Sequence, residues 1–163
     1  MNLKSRFSQF NNDNNSHKFK TNLSKLKKII YIDDQVDILI FADYALTEIG
    51  NYQTMMCESG AEALDKIQEF EPDLILLDVM MPELDGPQTL SLIREIGPLK
   101  DTPAIFITAK IFPNEIAELK SSNKGVLGVI PKPFDPISIS ATIQSMWDSL
   151  FFEDNNKRVG SQK

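Results

Sequence analysis

The chain reads as an α/β protein: a doubly wound, five-stranded parallel sheet in the order 2-1-3-4-5, with five helices on its two faces. Three observations carry that reading. From Lys28 onward, apolar runs of four to six residues alternate with longer amphipathic stretches, as repeated strand-helix units require. Right-handed crossovers between such units wind the sheet outward from its middle, so the first and third strands become neighbours. Charge then falls at the ends of those two strands: Asp33-Asp34 follows Lys28-Ile29-Ile30-Tyr31-Ile32, and Asp78 follows Leu74-Ile75-Leu76-Leu77.

Strands are expected near 28–32, 52–56, 73–77, 103–107 and 126–130. The first helix, about 36–49, offers Ile38, Phe41, Ala42, Ala45 and Ile49 at helical spacing and stops at Gly50. In the second, Ser59 and Glu62 suit a capping box, Ala61, Leu64 and Ile67 form the apolar stripe, and Pro72 prevents continuation. The third begins at Asp85-Gly86 and ends near Gly97-Pro98. A fourth, about 114–121, is short and weakly apolar. The last segment alternates like a strand over Ile137, Ile139, Ala141 and Ile143, but Ile139, Ile143, Met146, Trp147 and Leu150 continue at helical spacing behind an Asp135-Pro136 start. It is read as a fifth helix, about 136–151.

Three regions follow from this pattern. Residues 1–26, rich in Asn, Ser and Lys, read as a flexible basic extension, 27–151 as the folded domain, and 152–163 as a flexible polar tail. The net charge of −6 conceals an asymmetry, since residues 1–28 carry seven Lys/Arg against the single Asp13. An acidic body argues against nucleic-acid binding by the core. The leader combines its cations with Phe7, Phe10 and Phe19, and reads first as a solvated tail, second as a partner-docking or acidic-surface tether. One cysteine, Cys57, excludes an intramolecular disulfide and fits a reducing compartment as a buried structural thiol. No apolar stretch is long enough to span a bilayer, and the polar start lacks a secretory signal, so a cytoplasmic protein is expected.

Acids crowded at one sheet edge are costly. Two unit charges about 4 Å apart repel by roughly 4 kcal/mol at an effective dielectric of 20, a sizeable share of a domain's ~5–15 kcal/mol stability. A divalent cation with oxygen ligands and a nearby ammonium would offset this. Lys132, held in Pro131-Lys132-Pro133-Phe134 after the fifth strand, is the ammonium best placed. The spaced acids of a helix-loop-helix calcium site are missing.

The stretch Asp78-Val79-Met80-Met81-Pro82-Glu83-Leu84-Asp85-Gly86 is the most specific local signal. Together with Ile32-Asp33-Asp34, Ile107-Thr108-Ala109 and Lys132-Pro133-Phe134, in this order and spacing, it resembles the receiver domain of two-component response regulators over residues 27–150. The resemblance implies a flavodoxin-like fold, a phosphoacceptor at Asp78, and contacts from Thr108 and Lys132 to the phosphoryl group. It also implies Mg²⁺ held by Asp34 directly, Asp33 largely through water, Asp78 and the Met80 backbone carbonyl, and a cis peptide before Pro133. The implied donor is a sensor histidine kinase or histidine phosphotransfer protein, and the implied output is a switched surface that binds a downstream protein target. The reading is of a stand-alone receiver, not an enzyme beyond Mg²⁺-assisted self-phosphorylation and slow self-dephosphorylation; phosphorylation-dependent dimerisation stays open. The competing classes are a constitutive scaffold and an aspartate-nucleophile phosphohydrolase. The latter usually has a second Asp two residues after the nucleophile, where this chain has Met80.

Three positions depart from the family pattern. Val129 stands where the family often has Tyr or Phe, so signalling is expected to use backbone shifts across the fourth helix, fifth strand and fifth helix. Met80 and Lys110 offer no carboxamide or carboxylate to orient hydrolytic water, which implies a slowly hydrolysing phosphoaspartate.

Overall fold

A computed structural model describes residues 25–109 and 112–159. Five parallel strands, β1 (Lys28–Ile32), β2 (Gln53–Cys57), β3 (Leu74–Asp78), β4 (Ala104–Thr108) and β5 (Val126–Pro131), form one sheet in the order β2-β1-β3-β4-β5. The helices are α1 (Val36–Tyr44), α2 (Gly60–Phe70), α3 (Gly86–Glu95), α4 (Pro113–Ser122) and α5 (Ile139–Val159). The expected fold class and strand order are those observed, with each strand displaced by at most one residue. The basic extension before Lys25, and Lys110, lie outside the described residues, as do residues 160–163.

Sheet alternation divides the apolar residues between two layers. Ile29 and Tyr31 of β1 join Leu74, Leu76, Ile105 and Ile107 under α1 and α5, whereas Ile30, Ile32, Ile75, Leu77 and Phe106 face α2 and α3. Both sheet faces are therefore covered, which explains the unbroken apolar runs of β1, β3 and β4. All five residues of β3 and of β4 are buried.

The helices depart from expectation in phase and in their ends. Leu39, Ala42, Ala45 and Leu46 are the buried residues of the first helical segment, while Phe41 and Ile49, expected inside, stand exposed. Apolar residues surround this helix on all sides, so spacing alone did not define its inner face; a π-helical turn over Ala45–Ile49 then rotates the register. In α2 the inward residues are Ala63, Ile67 and Phe70, and Ala61 is exposed. Ser59 does cap α2, accepting the Glu62 N–H at 3.1 Å, but the Glu62 carboxylate reaches back to the Glu58 N–H rather than to that of Ser59. The reciprocal capping box occurs instead at α3, between Asp85 and Gln88.

Helix α3 closes at Glu95 into a short 3-10 turn, Gly97–Leu99. Helix α4 starts at Pro113 and buries no residue. Helix α5 starts at Ile139, three residues later than expected, because Asp135 first caps a turn by accepting the N–H groups of Ile137 and Ser138. Its backbone then continues to Val159 rather than ending near 151. Ile139, Ile143 and Trp147 face the core as their spacing predicts. No helix among the described residues is long and apolar enough to cross a membrane.

Cys57 closes β2, fully buried, and its carbonyl accepts the Asp33 N–H at 3.0 Å. Burial, with the Glu62 charge, pushes its thiol up to about 11. Very little thiolate is present at neutral pH, and thiolate is the reactive form. Cys57 is expected to resist alkylation at pH 7.5 in the native protein and to react at a free-thiol rate in denaturant; native labelling at that free rate would contradict a buried structural thiol.

Candidate functional site

The carboxyl ends of β1, β3 and β5 converge on one edge of the sheet. One oxygen each from Asp33, Asp34 and Asp78 lie within 4.8 Å of one another. Asp33 and Asp78 are buried, while Asp34 is exposed at the mouth. At that spacing each pair of ionised carboxylates repels by roughly 3–4 kcal/mol at an effective dielectric of 20.

Lys132 provides the opposing charge. Its Nζ lies 2.6 Å from Asp33 Oδ2 and 3.3 Å from Asp78 Oδ1, with its side chain nearly buried. The same Nζ donates to Gln35 Oε1 at 3.1 Å. The peptide before Pro133 is cis, as the resemblance implied. Pro131 lacks an N–H at the end of the edge strand β5, and Lys132 N–H takes over the contact with β4 by donating to the Thr108 carbonyl at 2.8 Å.

Two groups that sequence reasoning missed complete the Asp33 environment. Tyr31 Oη donates to Asp33 Oδ2 at 2.6 Å, and the Gln35 N–H donates to Asp33 Oδ1 at 3.0 Å. Both Asp33 oxygens are thus engaged by protein donors. Tyr31 could have been flagged, because a fully buried phenol must find an acceptor and Asp33, two residues on, shares its face of the strand. Burial and the Asp33 charge hold its phenol far above the ordinary tyrosine range, so it remains a proton donor.

The remaining candidates stand at the same edge of the sheet, at or just beyond the ends of β3 and β4. Thr108 is buried at the end of β4, whose Ile107 pairs in register with Asp78. The Met80 amide hydrogen-bonds toward the Asp78 carboxylate, whereas its side chain is exposed. Gly86 lets α3 begin directly under the strand end: a Cβ there would lie 2.3 Å from the Asp78 carbonyl oxygen and 3.0 Å from Val79 Cα. Its N–H donates to the Val79 carbonyl at 3.0 Å. The intervening loop turns tightly at Glu83, φ 64°, where Leu84 N–H reaches the Pro82 carbonyl at 2.7 Å.

Three carboxylates and one ammonium leave a formal charge of −2, and every candidate ligand is a hard oxygen. That donor set fits Mg²⁺, which keeps several waters and takes only one or two carboxylates directly. Asp34, at the exposed mouth, is open to a cation in a way that the fully engaged Asp33 is not.

This geometry can be set beside known proteins. The family model for the response regulator receiver domain matches residues 29–144. The chain belongs to that family. It is 32% identical over 120 residues to the alkaline phosphatase synthesis transcriptional regulatory protein PhoP of Bacillus subtilis, covering 74% of this chain and 48% of that one. It is 31% identical over 117 residues to the polar-differentiation response regulator DivK of Brucella ovis, covering 72% of this chain and 92% of that one. The chain thus spans about half the length of PhoP and of two other curated relatives. Among solved structures, the chemotaxis protein CheY4 of Vibrio cholerae superimposes with a TM-score of 0.68 at 26% identity, over 75% of this chain and 99% of that one. CheY of Borrelia burgdorferi, crystallised as a complex with CheX, BeF₃ and Mg²⁺, superimposes at 0.64 with 25% identity, over 77% of this receiver and 89% of that chain.

Burial raises the Asp78 carboxyl above the ordinary aspartate range; the Lys132 charge draws it down, the Asp33 charge raises it again, and hydrogen bonds from Lys132 and the Met80 amide lower it. A carboxyl raised in the folded state favours folding while protonated, and that contribution is lost as pH rises through its folded pKa. At pH 7 without a divalent cation, Asp78 therefore disfavours the fold. Asp78→Asn is expected to raise the Tm at pH 7 in chelator, with the gain shrinking towards pH 4, and to be stabilised less by Mg²⁺ than the parent. Thermal scans with EDTA or Mg²⁺ check this; a lower Tm for the variant at pH 7 in EDTA would contradict it.

Proposed function

We propose that this receiver accepts a phosphoryl group on Asp78 from a phosphohistidine and thereby switches a partner-binding surface. The observation that carries the reading is the buried Asp78 carboxylate, 3.3 Å from Lys132 Nζ and clustered with Asp33 and Asp34 at the end of β3. An Asp78 oxygen attacks phosphorus in line, the oxygen–phosphorus bond forms as the phosphorus–nitrogen bond of the donor breaks, and the departing imidazole takes the bonding pair on its ring nitrogen and a proton from solvent to leave as neutral histidine.

Asp34, Asp78, the Met80 carbonyl and, through water, Asp33 are the groups that would hold Mg²⁺. When bound, the cation neutralises charge on the acceptor and on the phosphoryl oxygens. Lys132, now shared between Asp33 and Asp78, is within reach of a phosphoryl oxygen on the latter. Thr108, at the end of the adjacent strand, would donate its hydroxyl to another. With Lys132 drawn towards the new group, Asp33 keeps Tyr31 and Gln35 as donors, which limits the cost of the exchange. The donor would be a sensor histidine kinase or histidine phosphotransfer protein, and the recipient of the signal a downstream protein. The chemistry is that of an acceptor and switch rather than of turnover.

Intact mass after incubation with Mg²⁺ and a small phosphodonor is expected to show one phosphoryl adduct, absent in Asp78→Asn and in chelator. No adduct in donor excess would favour a constitutive scaffold, and turnover of phosphate esters a hydrolase.

The hydrolytic side of the site is poor in orienting groups. Met80, two residues beyond Asp78, presents a thioether that cannot position water, and its side chain is exposed. The phosphoaspartate is therefore expected to persist for minutes or longer in the purified protein, and Met80→Asn to shorten that lifetime at least several-fold. A lifetime of seconds in the parent would reject this assignment.

A further inference from the structure

Tyr31 is an unusual occupant of β1. Its neighbours along the strand, Ile29, Ile30 and Ile32, are aliphatic, and it pairs in register with Met56 of β2 and Leu76 of β3. The ring is fully buried, in the same core cluster as Leu39 of α1 and Ile143 of α5. A phenol in such a place carries a desolvation cost that an aliphatic side chain avoids, so its hydroxyl must be held by a partner. That partner is Asp33 Oδ2, 2.6 Å away.

The identity of the acceptor gives the contact a role beyond packing. Oδ2 is the oxygen that also takes the Lys132 ammonium at 2.6 Å, while Oδ1 takes the Gln35 N–H at 3.0 Å. An ionised carboxylate offers about four lone-pair sites. Three of them are therefore occupied by protein donors. The Lys132 ammonium is equally committed: its three hydrogens face oxygens of Asp33, Asp78 and Gln35. To reach a phosphoryl oxygen on Asp78, Lys132 must give up part of its hold on Asp33, and that carboxylate is fully buried. A buried charge that loses a partner is costly unless other donors remain.

Two donors do remain. One is the Gln35 backbone N–H; the other is the Tyr31 phenol, which rises out of the core, where neither a cation nor a phosphoryl group competes for its place. We infer that Tyr31 is a positioning residue of the acceptor site: its phenol holds Asp33 from within the core, reduces that carboxylate's direct pull on a divalent cation, and lets Lys132 move towards a phosphoryl group on Asp78. The last part of this inference rests on the phosphoacceptor reading of Asp78; the part concerning the cation does not.

The two effects of removing the hydroxyl have opposite signs, which separates them from a purely structural role. Without it, Asp33 keeps more of its charge for a cation and a lone-pair site opens beside Lys132, so Mg²⁺ binds more tightly. Asp33 also holds the ammonium harder, so Lys132 meets a phosphoryl group on Asp78 at greater cost. A core merely loosened by the missing oxygen would weaken both.

Tyr31→Phe keeps the ring and removes the donor, so the apolar packing of β1 is retained. In the full chain, amide shifts of residues 33–35 and 78–80 follow Mg²⁺ binding and then, at saturating Mg²⁺, the binding of fluoroberyllate, a stand-in for the phosphoryl group. The variant is expected to bind Mg²⁺ about threefold or more tightly, and fluoroberyllate about threefold or more weakly, than the parent, as loss of a hydrogen bond to a charged group requires. In an Asp33→Asn background the same substitution is expected to leave the Mg²⁺ constant unchanged, because the phenol acts through that charge. Constants that do not move in Tyr31→Phe, or that weaken together, would overturn the inference, as would an equal Mg²⁺ shift in the Asp33→Asn background. If the parent itself takes no fluoroberyllate, the phosphoacceptor reading of Asp78 fails, and the Mg²⁺ constants alone decide the role of Tyr31.

Discussion

The contact on which the rest of the site depends is the ion pair between Lys132 and Asp33, 2.6 Å long and almost wholly withdrawn from water. It ties the end of β5 to the end of β1 across the intervening ends of β3 and β4, and fixes the ammonium where Asp78 can share it. A buried pair gains little over apolar packing, yet losing one partner typically costs about 3–5 kcal/mol because the other charge is stranded. Asp33 is insured against part of that loss by Tyr31 and Gln35. Asp78 has fewer protein donors, and burial raises its carboxyl above the ordinary aspartate range. The two acids therefore divide the work physically: one is anchored, the other poised.

That division follows from the topology. A parallel sheet with both faces covered gathers the ends of its strands on one edge, and the outward winding puts β1 and β3 together there. Any acids that terminate those strands must meet. Gly86 then brings α3 up against the Asp78 backbone, so the loop after the acceptor is short of room and turns sharply at Glu83. The fold thus creates the electrostatic conflict and supplies Lys132 to relieve part of it; the residual negative charge is the reason a divalent cation suits the pocket.

Strand positions were legible because each strand is a short apolar run with a clear boundary, and the parallel order followed from the alternation with helices. Asp33, Asp34, Asp78 and Lys132 could be singled out because they stand at strand ends or between prolines, and the structure brings their charged groups together, with Thr108 at the end of the neighbouring strand β4. What was not legible depended on packing. Val36, Ile38, Leu39, Ile40 and Phe41 give α1 apolar character on every side, so its inner face is set by which residues meet Tyr31 and Ile143 in the core, and the π-helical turn shifts the phase again. Tyr31 looked like one more strand residue until its hydroxyl was placed against Asp33. Arg94 is similar: nothing in the sequence indicates that its guanidinium binds the carbonyls of Leu99, Thr102 and Lys124, tying the end of α3 to the loops on either side of β4 and α4.

Those ties also bear on how a local event at Asp78 could travel. Helix α4 buries none of its residues, whereas α2, α3 and the first helical segment each bury four, so α4 is the helix whose displacement disturbs least packing. It follows β4, and β4 ends in Thr108. Val129 has no ring to swing, but it pairs in register with Phe106 of the same strand, and Lys132 N–H holds the Thr108 carbonyl. A pull on the Thr108 hydroxyl would therefore be felt through the β4–β5 backbone rather than through a rotating aromatic. Moving a two-state equilibrium from 1:99 to 99:1 takes about 5.5 kcal/mol. Charge-assisted contacts to a new phosphoryl group are of that order when two or three form together, and a helix held by so few buried contacts is where such an amount of free energy can change a surface without unfolding the core beneath it.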